Sequence, residues 1–286
     1  MPASWLQLSV RTDPAAMDAV SNFLIERGSP GVVIRKNEIQ AYFVHSVDDA
    51  LIRDDIQRFL GGLNGIYSHE PRLRWRLLKD KNWNSSWRRF FNPQKVGKAF
   101  WVTPPWATRP PIGRRHVITI DPGMAFGTGT HATTRGCMEF IERAAAMFRG
   151  TEFSALDVGT GSGILAIALA KLGARDIWAV DADPVALKAA RENLHRNDVQ
   201  EKIHLSRVKL SQIRRSFSLV VANLTAETII DLAGTLEKRV APKGFLILSG
   251  ILYPKAQRVI HSFAEGFKVI IRKREKEWLT LLLRRR

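Results

Sequence analysis

Hydrophobic positions in the first eighty residues switch period several times. Leu6, Leu8 and Val10 alternate with polar neighbours, as in a strand buried on one face. Asp13 and Pro14 then open a helical pattern with Val20, Phe23 and Leu24 on one side, and Gly28-Ser29-Pro30-Gly31 ends it. Val32 to Arg35 and Ile39 to His45 read as strands joined by a Lys36-Asn37-Glu38 turn. A second helix begins at Asp48-Asp49, carries Leu51, Ile52, Ile56, Phe59 and Leu60, and stops at Gly61-Gly62. Leu73, Trp75 and Leu77 then alternate with Arg72, Arg74 and Arg76. The order βαββαβ over residues 1–80 predicts a ferredoxin-like α+β domain, a small antiparallel sheet with two helices on one face.

Residues 81–115 break the rhythm and read as a linker. Prolines pair at Pro104-Pro105 and Pro110-Pro111, and Trp83, Trp87, Trp101 and Trp106 gather around them. Trp83 and Trp87 are spaced to share a helix face. Together with Arg88, Arg89, Lys95 and Lys98 they suit stacking on RNA bases. Burial between two domains is the alternative, and it is the commoner use of large aromatics.

From residue 116 the pattern becomes α/β. A strand at Val117–Ile120 and a helix at Thr133–Phe148 come first. Strands follow at 154–158, 176–181, 202–206, 217–222, 244–249, 267–272 and 277–283, with helices at 162–172, 184–197, 226–239 and 254–264. This alternation predicts a doubly wound, mostly parallel sheet with helices on both faces. The last two strands have no helix between them, which implies one antiparallel hairpin.

Composition narrows the setting. The chain has 286 residues, 45% of them hydrophobic, enough for two cores. No apolar run reaches the roughly 18 residues of a membrane span, so no membrane-crossing helix is expected. Met1-Pro2-Ala3-Ser4-Trp5 lacks the pattern of a secretory signal, and a cytoplasmic location is expected. Cys137 is the single cysteine, which excludes an internal disulfide and reads as a small buried helix residue. The net charge is +17. Nine Lys or Arg and one acid lie between Arg72 and Lys98; such charge suits an acidic partner (nucleic acid, ribosomes or anionic lipid) or is a solubility habit of a basic proteome.

Candidate chemistry concentrates at three places. Asp157-Val158-Gly159-Thr160-Gly161-Ser162-Gly163 follows a strand and opens a helix, as in a nucleotide-binding βαβ unit. The third glycine of a dinucleotide fingerprint is replaced by Ile164, and Asp157 would repel a pyrophosphate. A cationic, phosphate-free cofactor such as S-adenosyl-L-methionine suits Asp157, Gly159 and Gly161 better. Asp181 ends the next strand, where a carboxylate accepts hydrogen bonds from ribose hydroxyls, while Asp183, just before Pro184, reads as a helix cap.

The second place is the glycine-rich stretch Asp121 to Thr134. It lacks the lysine of a phosphate loop. It reads either as an ordinary turn with a helix cap or as a loop folded over a cofactor. In the second reading Thr133 or Thr134 caps the helix and reaches the cofactor, and Phe126 covers a sulfonium. No metal is predicted at His131, which lacks a neighbouring Cys or a second spaced His. The third place is Asn223, which ends an apolar strand at the carboxyl edge of the sheet, where α/β ligands bind. An Asn there aims an amine's lone pair by accepting its hydrogens, or serves a turn.

With these residues assembled, the chain resembles the ribosomal protein L-eleven methyltransferase (PrmA) family over nearly its whole length. The resemblance rests on Asp121 through Thr134 (DPGMAFGTGTHATT), on DVGTGSGILAIA from Asp157, on VVANL from Val220, and on Phe100–Trp106. It implies a seven-stranded methyltransferase domain over 116–286 that uses S-adenosyl-L-methionine. It also implies N-methylation of lysine ε-amines and the α-amine of a large-subunit ribosomal protein, with residues 1–80 recognising that substrate. By position, the resemblance implies cofactor contacts at Thr134, Gly159, Asp181 and Asn223, and puts catalysis at Asn223. Thr225 departs from the family pattern and adds a hydroxyl beside the expected acceptor site. Ribosomal RNA near the substrate and a monomeric enzyme complete the expectation. RNA methylation and a ribosome-binding factor without catalysis are the competing readings.

Overall fold

The computed structural model describes residues 5–44, 49–63, 71–78, 92–108, 110, 113–122, 129, 131–148 and 151–286. The chain divides into two compact units, Met1–Phe90 and Phe91–Arg286.

In the first unit β1 (Trp5–Arg11), α1 (Met17–Glu26), β2 (Val32–Arg35), β3 (Glu38–Val44), α2 (Asp49–Gly61) and β4 (Arg72–Leu78) follow in the order the hydrophobic pattern predicts. The sheet runs β2-β3-β1-β4 and is antiparallel throughout. The alternation of β1 puts Leu6, Leu8 and Val10 into a core with Ile39, Ala41 and Phe43 of β3, Val20 and Leu24 of α1, and Ile56 and Leu60 of α2. Phe23 and Phe59 stack at 3.8 Å between the two helices. Asp13 accepts the Ala15 N–H at 2.9 Å, and Pro14 begins the short 3-10 turn before α1.

In the second unit, part of the segment that reads as a linker is regular structure. β5 (Gln94–Val96) pairs antiparallel with β6 (Phe100–Thr103), which pairs parallel with β7 (His116–Thr119). Val96, Phe100, Val102 and Ile118 enter the main core. Trp101 is a strand residue whose ring lies 5.1 Å from the Lys95 ammonium. Trp83, Trp87, Arg88 and Arg89 lie outside the described residues.

The main sheet is formed by β8 (Phe153–Val158), β9 (Ala174–Val180), β10 (Ile203–Ser206), β11 (Phe217–Asn223), β12 (Val240–Leu252), β13 (Phe267–Glu275) and β14 (Trp278–Arg285). Its order is β10-β9-β8-β11-β12-β14-β13, parallel except for β14, which runs antiparallel to both neighbours. One face packs against α3 (Ala132–Met147), α4 (Ile164–Lys171) and α5 (Pro184–Arg196). The other packs against α6 (Ala226–Asp231), α7 (Ala233–Arg239) and α8 (Ala256–His261). Cys137 is buried in α3, as its sequence setting indicates.

Two elements differ from the pattern reading. The single helix expected over 226–239 breaks at Leu232, beside Gly234, a poor helix former. The strand expected at 244–249 runs from Val240 to Leu252, with a register shift at Gly250. A Cβ on Gly250 would collide with the Leu224 backbone, and its φ of 81° lies in the left-handed region, so β12 passes this point only with glycine. Among the described residues no helix is long and apolar enough to cross a membrane.

Candidate active site

The strand order changes direction at β8. Its two parallel neighbours, β9 and β11, are reached by connections on opposite faces of the sheet, which opens a crevice at the carboxyl ends. Val158 of β8 sits opposite Ala222 of β11 in the ladder. The next residues, Gly159 and Asn223, therefore leave the sheet side by side. Val158 also pairs with Val180, so Asp181 leaves on the other flank of the bend. Gly159, Asp181 and Asn223, far apart in sequence, meet at one edge because of this register.

The bend is held by its own hydrogen bonds. The Gly159 and Thr160 N–H groups both donate to the Val180 carbonyl, at 2.9 and 3.0 Å. Gly161 donates its N–H to Asp181 Oδ2 at 2.9 Å, and Asp183 N–H donates to Asp181 Oδ1 at 3.0 Å. Each carboxylate oxygen keeps a lone pair for a further donor. Asp183 accepts from Val185 N–H at 2.8 Å ahead of Pro184, so it is the cap of α5 and Asp181 is not.

Asp157 lies beneath the bend with no solvent exposure. Its Oδ2 accepts from Thr160 Oγ1 at 2.6 Å and from Ala166 N–H at 3.2 Å, so it ties the strand to the bend and to the first turn of α4. Oδ1 has no partner among the described residues. Burial pushes this carboxyl up to about 7, and the nearby Asp181 charge adds to the rise, against the lowering by Thr160 and Ala166.

Thr134 sits in the first turn of α3, fully buried, and its Oγ1 also lacks a partner among the described residues. The capping role expected of Thr133 or Thr134 belongs to His131 instead. Its Nδ1 takes the Thr133 N–H at 3.4 Å and lies 2.7 Å from Thr133 Oγ1. A ring nitrogen accepting from a backbone amide is unprotonated, and burial, reinforced by Arg135, lowers the His131 pKa accordingly. Phe126 lies outside the described residues, as do 123–128 and Thr130.

Asn223 is half-buried at the end of β11, opposite Ser249 of β12. Leu224 follows it and donates its N–H to the Ser249 carbonyl at 3.0 Å. Thr225 is exposed and caps α6, with its Oγ1 2.9 Å from Thr228 Oγ1, so its hydroxyl is engaged by the helix start.

Asn193 escapes a motif reading. It is buried on the core face of α5, in line with Ala186, Ala190 and Leu194, and its amide joins two parts of the site. Nδ2 donates to the Ser162 carbonyl of the bend at 2.9 Å, and Oδ1 accepts from Asp121 N–H at 3.1 Å. One turn on, Asn197 accepts from Thr119 N–H and donates to the Thr119 carbonyl. The available signal is a polar side chain at a stripe position that amphipathicity assigns to apolar residues. A recess of about 860 Å³ at the opposite edge of the sheet, around Phe153, Asp176 and His204, includes none of these groups.

Residues 4–286 match the model of one family, described as Ribosomal protein L11 methyltransferase (PrmA). The chain belongs to that family. A ribosomal protein L11 methyltransferase from Geobacter metallireducens is 37% identical over 301 residues, covering 99% of this chain and 98% of the relative. One from Desulfosudis oleivorans is 38% identical and covers 94% and 93%. The crystal structure of a ribosomal protein L11 methylase from Lactobacillus delbrueckii subsp. bulgaricus is similar at a TM-score of 0.63 with 34% identity, over 68% of this chain and all of that one.

As a PrmA-family methyltransferase the chain is an enzyme that uses S-adenosylmethionine. Its residues fit that cofactor. The Asp181 carboxylate, bonded to the Gly161 N–H of the bend, disfavours a phosphate there. Two buried oxygens, Asp157 Oδ1 and Thr134 Oγ1, remain without partners among the described residues; the hydroxyl donates or accepts, and the carboxyl oxygen accepts when ionised and donates when protonated.

Proposed function

We propose that this chain moves the methyl group of S-adenosylmethionine to amino nitrogens of ribosomal protein L11, both lysine ε-amines and the α-amine. In this reading residues 1–80 recognise that protein. The side-by-side exit of Gly159 and Asn223 from the sheet carries the proposal. It sets a cofactor bend and an amine-positioning oxygen at one crevice.

When bound, the cofactor supplies an electrophilic methyl carbon on a sulfonium, a good leaving group. The chain's share is positioning. Asp181 accepts from the ribose hydroxyls while its backbone bonds keep the bend closed. Gly159 and Gly161 let the main chain approach the cofactor, and Thr134 Oγ1 and Asp157 Oδ1 offer buried polar contacts. Asn223 Oδ1 accepts hydrogens of the incoming amine and turns its lone pair toward the methyl carbon. The amine reacts only when neutral. A free lysine, with a pKa of about 10.4, is almost wholly charged near neutrality, whereas an α-amine at about 7.7–8.0 is partly free. A partly dry crevice lowers the lysine value.

In this reading the enzyme acts as a monomer. A ribosomal substrate places the reaction in the cytoplasm, with ribosomal RNA beside the protein when it is modified in place.

Tritiated methyl transfer to ribosomes, followed by separate protease and RNase digestions, tests the acceptor. Label is expected on protein and, after hydrolysis, as methylated lysine and an α-N-methyl residue. Label that survives protease and leaves with the nucleotides overturns the reading in favour of RNA methylation.

A further inference from the structure

The net charge of +17 is not used by the cofactor site, which relies on carboxyls, glycines and an amide. Part of it is organised on the first unit. Alternation along the strands sends Leu6, Leu8 and Val10 to the helices and Trp5, Gln7, Ser9 and Arg11 to the other face of the sheet. The register then lays out rows across that face. Arg76, Gln7 and Tyr42 form one row, Arg74, Ser9, Gln40 and Val33 the next, and Arg72, Arg11, Glu38 and Arg35 the last. Trp5 stands beyond the first row, between Leu78 and Val44.

We propose that this sheet face, which packs against no helix among the described residues, with Arg72, Arg74 and Arg76 along β4 and the rings of Tyr42 and Trp5 beside them, is a binding surface for single-stranded RNA.

Charge decides the first part of the argument. The face carries five arginines against one acid, Glu38. A hydrogen bond from Gln40 at 2.9 Å, together with Ser9, Arg11 and Arg35, lowers the Glu38 pKa, so the acid stays ionised and is answered by its own neighbours. Among the described residues Arg72, Arg74 and Arg76 pair with no carboxylate, and all three are exposed. They lie on β4, at the end of the sheet order, spaced about 7 Å apart as alternate strand residues. That repeat suits successive phosphates of an extended strand. Arg11, Arg72 and Arg74 also converge on a recess of about 280 Å³ with Ser9, Leu73 and Glu38.

The rings decide between RNA and an acidic peptide. A four-stranded sheet that presents aromatics beside cations offers stacking platforms for unpaired bases as well as charge for the backbone. The Tyr42 ring is held in place. Gln7 Nε2 donates to its hydroxyl at 3.5 Å, and the hydroxyl donates to Gln40 Oε1 at 3.4 Å. An acidic peptide uses the arginines and gains little from fixed rings. The inference does not depend on which amine is methylated.

Fluorescence anisotropy with the full chain and a labelled single-stranded RNA of about twelve mixed-sequence nucleotides tests it. Salt is varied from about 50 to 200 mM. The combined variant R72S/R74S/R76S is expected to bind about tenfold or more weakly, with the slope of log K against log salt reduced by about 2. Tyr42→Leu is expected to weaken binding several-fold with the slope unchanged, because it removes stacking and no charge. A circular dichroism spectrum and a thermal unfolding profile unaltered in all variants report that the first unit, which carries the substitutions, is folded. Absent RNA binding by the parent protein, or equal RNA affinity in the triple arginine variant, overturns the proposal. So does a poly-glutamate peptide that binds as tightly as RNA and displaces it, which would assign the face to an acidic protein.

Discussion

Leu224 occupies the space that a side chain on Gly159 would need: a Cβ there would stand 2.5 Å from Leu224 Cδ2. The cofactor bend and the residue after Asn223 are thus in contact, and the φ of 71° at Gly159 already favours glycine. Gly159→Ala is expected to cost about 1–2 kcal/mol in backbone strain and about 1–3 kcal/mol in overpacking. Thermal unfolding should show the loss, and calorimetry should show weakened S-adenosylhomocysteine binding. Adding Leu224→Ala should return part of the stability by relieving the clash. Additive losses in the double variant would mean that the contact does not limit the site.

Asp181 is an anchor as well as a ribose acceptor. Asp181→Asn keeps one carbonyl oxygen and sets an NH2 group against one of the two backbone N–H donors, Gly161 or Asp183. Loss of a charged hydrogen bond of about 1.5–3 kcal/mol corresponds to about 10- to 100-fold weaker cofactor binding. Turnover at saturating cofactor should fall much less. A variant that binds the cofactor normally but turns over slowly would remove Asp181 from the ribose role.

Much of this was legible along the chain because one period dominates each segment. Strong alternation in β1 and β4, and the apolar run Leu219 to Ala222 in β11, fix elements whose side chains have no other place to go. Asp183 could be told from Asp181 because Pro184 marks the first helical position. The misread parts depend on partners distant in sequence. β5 and β6 are short, lie among prolines, and become strands only by pairing with each other and with β7. His131 caps α3 although imidazole is not a usual cap, so the threonines beside it were the natural expectation. Asn193 carries no motif, and its meaning appears only when Ser162 and Asp121 are brought to it.

Asn193 makes the next prediction. Replacing it with Leu strands the Ser162 carbonyl and the Asp121 N–H, both of which it now satisfies. Each unsatisfied buried group costs about 1–3 kcal/mol. The Asn193→Leu protein should melt earlier and bind cofactor more weakly, and saturating S-adenosylhomocysteine should recover part of the midpoint. Asn193→Asp keeps the acceptor for Asp121 and loses the donor to Ser162, so it should fall between the two. Wild-type cofactor affinity in Asn193→Leu would show that the bend needs no support from α5.

Asp157 links stability to pH. Its carboxyl holds a proton up to about 7 in the folded chain, against an ordinary value of 3.8. Between those values the folded state binds more protons than the unfolded state, so this group's contribution is full at low pH and is lost as pH rises through about 7. The slope is at most about 1.4 kcal/mol per pH unit. Without ligand, the parent protein should therefore lose stability relative to Asp157→Asn as pH is raised across that window. Urea unfolding of both proteins measures it, and parallel stability curves would show that the carboxyl is ionised throughout.

Asn223 separates binding from chemistry. Its backbone is fixed by the β11–β12 ladder and by Leu224, so shortening its side chain leaves the strand end in place. If Oδ1 aims the amine, its removal costs the transfer step and little else, because the amine still reaches the crevice but without a set direction. Asn223→Ala should lower kcat about 100-fold while changing the dissociation constant of S-adenosylhomocysteine by no more than about threefold. Asn223→Asp supplies the same acceptor with a charge. It should retain more activity than the alanine variant and show an altered pH profile, because a carboxylate favours the protonated, unreactive amine. Equal loss in cofactor affinity and in turnover for Asn223→Ala would make Asn223 a cofactor contact alone, and the positioning of the amine would have to come from backbone carbonyls at the same edge.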